Sequence, residues 1–588
     1  MSMRRAAILP LVLCAALCAI FAVVAWRAVS GKSATADEPN HVVTGYFMLW
    51  QHDFRLSPDV PPLWEDFIAL GIGRDALKFD PASPQYRNIL VHRQMADWCN
   101  HVLYFTPGND GIAAVNRARA MCLILGVLLA VLIATWAWQL RGPAAAVVAT
   151  FLYCLDPNFL GHAPLAKNDV ASAMLFFAAA YSIWRAGRRL TWYSGAAVVL
   201  LTAIAVAVKF SGLLLGPVLI LTLGCRVFSP TPWIILGKPR SKPAAALLLC
   251  LAVALTTYFG LWALYGFRFN SGPDGLRLDT AVIVNRLREL QLRRHPEDAG
   301  TWQPPLLTRL DLFIEQHRLM PEAWTTGFIN TENEDQGQRS SFLMGQTYPG
   351  GKWYYFPMAA LFKEPLATLA AAIAALFAIR RALFQSPENR WSTMCLIVPA
   401  AVYGVACLTA QVNIGLRHAF PIFPFAFVAV GLAWARYLKT RFGQLAALAL
   451  GLLLIVETAA AYPNYIAFFN AAFADRRMSL LTDSNLDWGQ DLPALAAWQK
   501  KHPGATLYLD YFGRCDPSAY GIQYVKLPDG LARLRTRSSG PSVVALSATM
   551  LQQFTSNPAG LAEFGIQLGQ RPEKILNKTI YLFDISRR

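Results

Sequence analysis

Residues 1–41 read MSMRRAAILPLVLCAALCAIFAVVAWRAVSGKSATADEPNH. Arg4 and Arg5 precede an apolar run that continues to about Val29, long enough to cross a bilayer core, for which roughly 20 apolar residues suffice. A basic flank before an apolar core is also the pattern of a signal sequence. Here the run is long and no small-residue cleavage site precedes the polar stretch, so it reads as an uncleaved first span. Just beyond it comes the acidic pair Asp37-Glu38. A span that delivers carboxylates to a membrane surface is the element from which the rest of the chain can be read.

The same length test along the sequence gives about eleven spans: 7–29, 119–140, 143–159, 169–185, 191–208, 210–228, 243–265, 356–379, 391–410, 416–434 and 443–461. Lys209, Ser211 and Gly212 interrupt the fifth and sixth, which form either two spans or a short hairpin that does not fully cross. Composition agrees. With 55% hydrophobic and 15% charged residues in 588, and a mean hydropathy of +0.35, the chain is too apolar for a soluble protein of its length. The net charge of +17 lies in short clusters between apolar runs, not in one stripe, which argues against a nucleic-acid partner. The ten cysteines show no metal-ligand spacing, and most fall in or beside apolar segments; Cys99 and Cys515 lie in polar segments and form a candidate pair.

Basic residues then set the orientation. With the N-terminus cytoplasmic, the inner loops hold Arg4 and Arg5, Arg141, Arg185 with Arg188 and Arg189, Arg226 to Lys242, Arg380, Arg381 and Arg390, and Arg436 to Arg441, against the single acid Glu388. The expected fold is an α-helical polytopic membrane protein: a transmembrane unit over 1–461 with outer loops 30–118 and 266–355, and a small extracytoplasmic α/β domain over 462–588. In that last segment the pattern predicts a helix at 492–501 and strands at 505–511, 542–546 and 579–585. A helix is expected around 281–294 in the second outer loop.

On this topology the chemistry-bearing residues gather at the outer ends of spans. Asp37 or Glu38, partly desolvated, would make a general base; the alternative is an ordinary solvated loop start. A second outer loop, Asp156 to Asp169, packs His162, Lys167, Asn168 and Asp169 into a short connection, where Asn168 or Asp169 equally suits a helix N-cap. Cations follow: Lys209 between two apolar runs, Lys363 inside the eighth span, and Arg417 with His418 opening the tenth. Cations at headgroup depth suit a phosphate-bearing lipid; the plain alternative is snorkelling to water.

In these residues the chain resembles the membrane glycosyltransferases of the protein O-mannosyltransferase and aminoarabinose-transferase type, the GT-C class, family 39-like. The marks are Asp37, Glu38 and His41; Asn168-Asp169; Gly350-Gly351-Lys352-Trp353-Tyr354-Tyr355-Phe356 leading to Lys363-Glu364-Pro365; and Gly415-Leu416-Arg417-His418 before Pro421. The run Asp483-Ser484-Asn485-Leu486-Asp487-Trp488-Gly489-Gln490-Asp491 looks like a segment of bacterial phospholipid-carrier-dependent members. The resemblance implies inverting transfer from a polyprenyl-phosphate sugar to a hydroxyl of a glycan, lipid or protein acceptor at a bacterial inner membrane. It makes Asp37 the base, with Glu38 and Asp169 beside it. It has His41, His162 and Asn168 orient the acceptor, and Lys209, Lys363, Arg417 and His418 bind the lipid phosphate. Some relatives use a divalent cation near the two acids; no strong metal motif occurs here, and the cofactor stays unassigned. The segment after 470 does not resemble the carbohydrate-binding modules of eukaryotic members, and Asp487, Trp488 and Asp491 either bind sugar or acceptor or dock this segment on the membrane core. The competing reading is a transporter or flippase of a lipid-linked or anionic substrate, which would more often place its site at the midplane and show internal repeats.

Overall fold

A computed structural model describes residues 2–87, 92–293, 295–336, 340–379, 387–527, 541–555 and 570–586. Arg294, Arg380, Arg381 and Arg588 lie outside the described residues. Every apolar stretch read from the sequence is helical. Among the described residues, eight helices are long and apolar enough to cross a membrane: Ile8–Val29, Gly111–Arg141, Asp169–Arg188, Phe210–Phe228, Lys242–Leu264, Asn389–Thr409, Leu416–Tyr437 and Arg441–Ala461. Pro143–Cys154 and Trp192–Val208 are shorter apolar helices. Large apolar side chains such as Leu9, Leu248, Phe442 and Val456 are exposed on the outside of the bundle, a surface suited to hydrocarbon. The chain is an α-helical polytopic membrane protein.

The eighth stretch, read as one span, is instead broken: Tyr355–Lys363 and Leu366–Leu376 meet at 117°. Pro365 is the cause. It offers no N–H to the helix and pushes the preceding residue out of helical space, and Glu364 is accordingly extended at ψ 140°. The exposed N–H groups of the second half are not left bare. Glu457, from the last span, accepts from Leu366 N at 3.1 Å and Ala367 N at 3.3 Å, an anion on a helix N-terminus.

A second interruption falls at Lys209, which is extended between Val208 and the 3-10 turn Phe210–Leu214. Gly212 permits the turn: a Cβ there would lie 2.4 Å from the carbonyl oxygen of Ala205. Asp169–Arg188 is the most enclosed of the spans, 89% buried, so the acid at its first turn is delivered to the middle of the bundle.

The C-terminal residues build a five-stranded sheet in the order 525–526, 506–510, 542–547, 580–584, 574–576, beside the helix Leu492–Lys500. The three longer strands are those the sequence pattern predicts. Strand 542–547 pairs in parallel with 506–510 and antiparallel with 580–584; its residues are buried without interruption, as expected of a central strand. The helix expected around 281–294 runs Thr280–Leu292. Cys99 and Cys515 do not pair; both are buried free thiols.

Candidate active site

Asp37 is the residue that caps the helix Glu38–Tyr46, yet its carboxylate makes no capping bond and is free to turn outward. Its Oδ2 lies 3.0 Å from Lys167 Nζ and 4.0 Å from an Arg417 terminal nitrogen. Asp169, at the first turn of its helix, is bound through one oxygen to Lys209 at 2.5 Å and through the other to Arg417 at 2.8 Å. Asn168 Nδ2 donates to Val208 O at 3.2 Å and so fixes the chain break that aims Lys209 at Asp169. The structure thus brings Asp37, Asp169, Lys209 and Arg417 into one charged cluster. Its accessible rim is Asp37, Lys209 and Lys167, with 25%, 21% and 17% of their side chains exposed, whereas Asp169 and Arg417 are buried beneath. Burial opposes charge on Asp37, but Lys167, Arg417, His41 and Arg514 outweigh it and hold the carboxyl below its ordinary range. Asp37 is therefore an anion.

Glu38, one residue on, faces the other way. It is fully buried and accepts from Arg119 Nε at 2.8 Å, Arg119 Nη2 at 2.6 Å, Thr35 N at 2.8 Å and Ala166 N at 2.9 Å. Its carboxylate ties the end of the first span, the second span and the loop before Asp169 together. That geometry takes Glu38 out of the reacting group and makes it the anchor of the loop that presents Asp37. Successive residues at a helix start point about 100° apart, which is why the pair divides in this way.

His41 lies between the two. Its Nδ1 is 2.7 Å from Glu65 Oε1 and its Nε2 is 3.0 Å from Lys167 Nζ. Burial and the Lys167 charge keep its pKa well below the ordinary value, so the ring is neutral.

Lys363 is not with the cluster. Almost wholly buried, it donates to Ile466 O at 2.8 Å and Asn485 O at 2.7 Å and lies over the Phe469 ring. Carbonyls of the protein satisfy this ammonium, which clamps the broken span instead of facing a ligand. His162 packs against the rings of Phe420 and Trp488, and burial holds it down to about 3, a neutral packing residue. His418 Nε2 is buried and has no hydrogen-bond partner.

The segment Asp483 to Asp491 is a structural part of the site. Trp488 O and Gln490 O accept from Ala36 N at 2.9 Å and Ser33 N at 3.0 Å, pinning the loop that ends in Asp37. Ser484 Oγ accepts from Arg417 Nε at 3.0 Å, and the Trp488 ring lies 4.4 Å from the guanidinium. Asn485 accepts from Leu416 N at 2.9 Å, fixing the start of the span that carries Arg417. Asp491 receives Lys32 Nζ at 2.6 Å and Thr579 Oγ1 at 2.7 Å, docking the sheet on the first loop. Of the two roles open to Trp488 and Asp491, these contacts are of the docking kind, while Asp487 accepts from Thr549 N within the C-terminal segment.

Sequence reasoning noted Lys167 in its loop without giving it a role, and passed over Arg119 and Glu65. Lys167 carried a usable signal, two residues before Asp169 in the same loop; the other two are linked to the site only through space.

A divalent ion does not fit between Asp37 and Asp169 as they stand. Both oxygens of Asp169 and one of Asp37 face Lys167, Lys209 and Arg417, and those cations would face the ion too. Among the described residues the one group spaced for a metal is the exposed trio His295, Glu297 and Asp298, which includes none of these acids. A cavity of about 430 Å³ is lined by apolar side chains such as Phe151, Trp434 and Leu448, and none of the clustered charges lines it.

No protein-family model and no curated protein matches the chain. Among solved structures it is similar to the oligosaccharyltransferase of Archaeoglobus fulgidus in the apo form, at 10% identity and a TM-score of 0.47, over 95% of this chain and 72% of that one. It is also similar to ArnT from Cupriavidus metallidurans bound to undecaprenyl phosphate, at 13% identity and a TM-score of 0.30, over 97% of each chain. A third is the arabinosyltransferase EmbB from Mycobacterium smegmatis, at 12% identity and a TM-score of 0.30, over 81% of this chain and 42% of that one.

Proposed function

We propose that this chain is an inverting glycosyltransferase of the GT-C, family 39-like kind, moving a sugar from a polyprenyl-phosphate carrier to a hydroxyl acceptor on the outer face of a bacterial inner membrane. The observation that carries the reading is the rim of the charged cluster: one anionic carboxylate, Asp37, beside two accessible ammonium groups, Lys167 and Lys209, over a buried guanidinium. A sugar phosphodiester needs both sets of groups. The acceptor oxygen forms its bond to the anomeric carbon as its proton passes to Asp37, and the bond from that carbon to the phosphate oxygen breaks on the opposite face. The charge gathering on the departing lipid phosphate is met by Lys167, Lys209 and Arg417.

The scarcity of free carboxylates at the rim supports inversion. Retention by double displacement needs a second free carboxylate to hold the sugar, and Asp169 is engaged through both oxygens. The broken span Tyr355–Lys363 and Leu366–Leu376 is the feature a transporter would share. Here its free helix end is capped by Glu457 and its lysine by backbone carbonyls, so both groups are engaged within the protein. The test is release of labelled sugar from a panel of polyprenyl-phosphate donors, present with wild type and lost in Asp37→Asn.

A further inference from the structure

Lys167 is the residue that touches both the rim carboxylate and something deeper, and what lies deeper is unusual. Behind it stands His41, and behind His41 stands Glu65, fully buried, with its second oxygen Oε2 making no hydrogen bond. The contact exists because the helices Glu38–Tyr46 and Pro62–Ile72 approach backbone to backbone. At Gly45, one turn after His41, a Cβ would sit 2.5 Å from the Glu65 carbonyl oxygen. Any other residue at 45 would push the two helices apart. The Trp64 ring stands edge-on to His41 at 5.2 Å and closes the other side.

The donors assign the proton on His41. An ammonium has only hydrogens to give, so the Nε2 that faces Lys167 is the acceptor, and a neutral ring then carries its hydrogen on Nδ1, pointed at Glu65 Oε1. Glu65 on Nδ1 and Lys167 on Nε2 thus favour the same tautomer, and Glu65 holds the ring so that its bare nitrogen faces Lys167. Resting on the proposed transferase function, we propose that Glu65 is a positioning residue for the transfer: through His41 it holds the Lys167 ammonium against Asp37, where base and departing phosphate must share it. Lys167 Nζ stands 3.0 Å from both His41 Nε2 and Asp37 Oδ2, so the histidine and the carboxylate both hold the ammonium.

The arrangement has a pH consequence. Facing Glu65 are Asp59 and Asp66, Lys167, Thr44, and the side chains of Cys99 and Tyr265. Facing His41 are Lys167 and Arg417 against Asp37 and Asp169. Burial, then the neighbouring acids, push Glu65 well above the usual carboxylate range. Taking up a proton weakens Glu65 as the acceptor for Nδ1–H, and the chain to Lys167 loosens on the acid side.

The experiment uses the full chain in lipid nanodiscs with ¹⁵N-histidine, the His41 signal being assigned with His41→Gln. Wild type is expected to show Nδ1 protonated and Nε2 bare. Glu65→Gln, whose amide oxygen still accepts from Nδ1–H, keeps that state; Glu65→Leu loses it. In transfer assays Glu65→Leu and Gly45→Ala lower kcat by about tenfold or more while KM for the carrier moves less than about threefold, the mark of a misplaced group. Glu65→Gln restores most of kcat and lacks the acid limb of the wild-type pH profile. A wild-type His41 protonated on Nε2, or a Glu65→Leu variant with wild-type kcat and pH profile, overturns the proposal. If wild type transfers from no donor, the transferase reading falls, and the tautomer measurement still decides whether Glu65 sets the state of His41.

Discussion

Exchange of Glu38 for glutamine separates anchoring from catalysis. The carboxylate receives hydrogens on both sides: Arg119 Nε and Ala166 N on Oε1, Arg119 Nη2 and Thr35 N on Oε2. An amide can accept on one side only, and on the other its NH₂ would meet two donors. Removing one partner of a buried ion pair costs about 3–5 kcal/mol. Arg119 keeps its bonds to the carbonyls of Val29, Lys32 and Ser33, which places the loss near the lower end, about 3 kcal/mol. Thermal unfolding in nanodiscs should therefore drop by several degrees in Glu38→Gln, and the double variant with Arg119→Met, which leaves no orphan charge, should regain part of it. Transfer measured well below the melting temperature should survive in both. A Glu38→Gln protein that melts like wild type but transfers nothing would refute the division drawn between Glu38 and Asp37.

Two further outcomes follow from single residues. Burial pushes Asp487 up to about 7, and an unfolded aspartate titrates near 4, so the folded state holds a proton that the unfolded state has released between those values. The stability this gives is complete below pH 4 and lost as pH rises through 7. Asp487→Asn abolishes the dependence, and its stability should gain on wild type by on the order of 2 kcal/mol between pH 5 and pH 7, read as a melting temperature that rises relative to wild type over that range. Arg417→Lys keeps a charge but cannot bond Asp169, bond Ser484 and stack on Trp488 at once. Loss of one charge-assisted bond, about 1.5–3 kcal/mol, should weaken polyprenyl-phosphate binding by roughly ten- to a hundredfold in a direct titration.

Much of the fold was legible because lipid imposes a length rule that needs no partner: each apolar stretch could be judged alone, as could the alternating strands near the end. The break at Glu364-Pro365 was written in the sequence too, but hydropathy averages across a proline and hides it. Asp37, Asp169, Lys209 and Arg417 were findable since each stands where a span begins or ends. That Glu38 and Lys363 stand apart from this cluster was not legible, because what disposes of their charge comes from distant sequence: Arg119 for the first, the carbonyls of Ile466 and Asn485 for the second. A lone lysine inside a span looks like a binding group until the loop that satisfies it is folded beside it. Glu65 carries no local mark at all, and only the glycine contact at Gly45 brings it to His41.

The central claim is that Asp37 is the base of a sugar transfer from a lipid phosphate. Wild type and Asp37→Asn should be compared in nanodiscs for carrier binding and for transfer of radiolabel from polyprenyl-phosphate sugars to a membrane extract. The account predicts that both proteins bind the carrier, through Lys167, Lys209 and Arg417, and that only wild type moves the sugar. Carrier bound by both with no turnover by either, or undiminished transfer by Asp37→Asn, would contradict it.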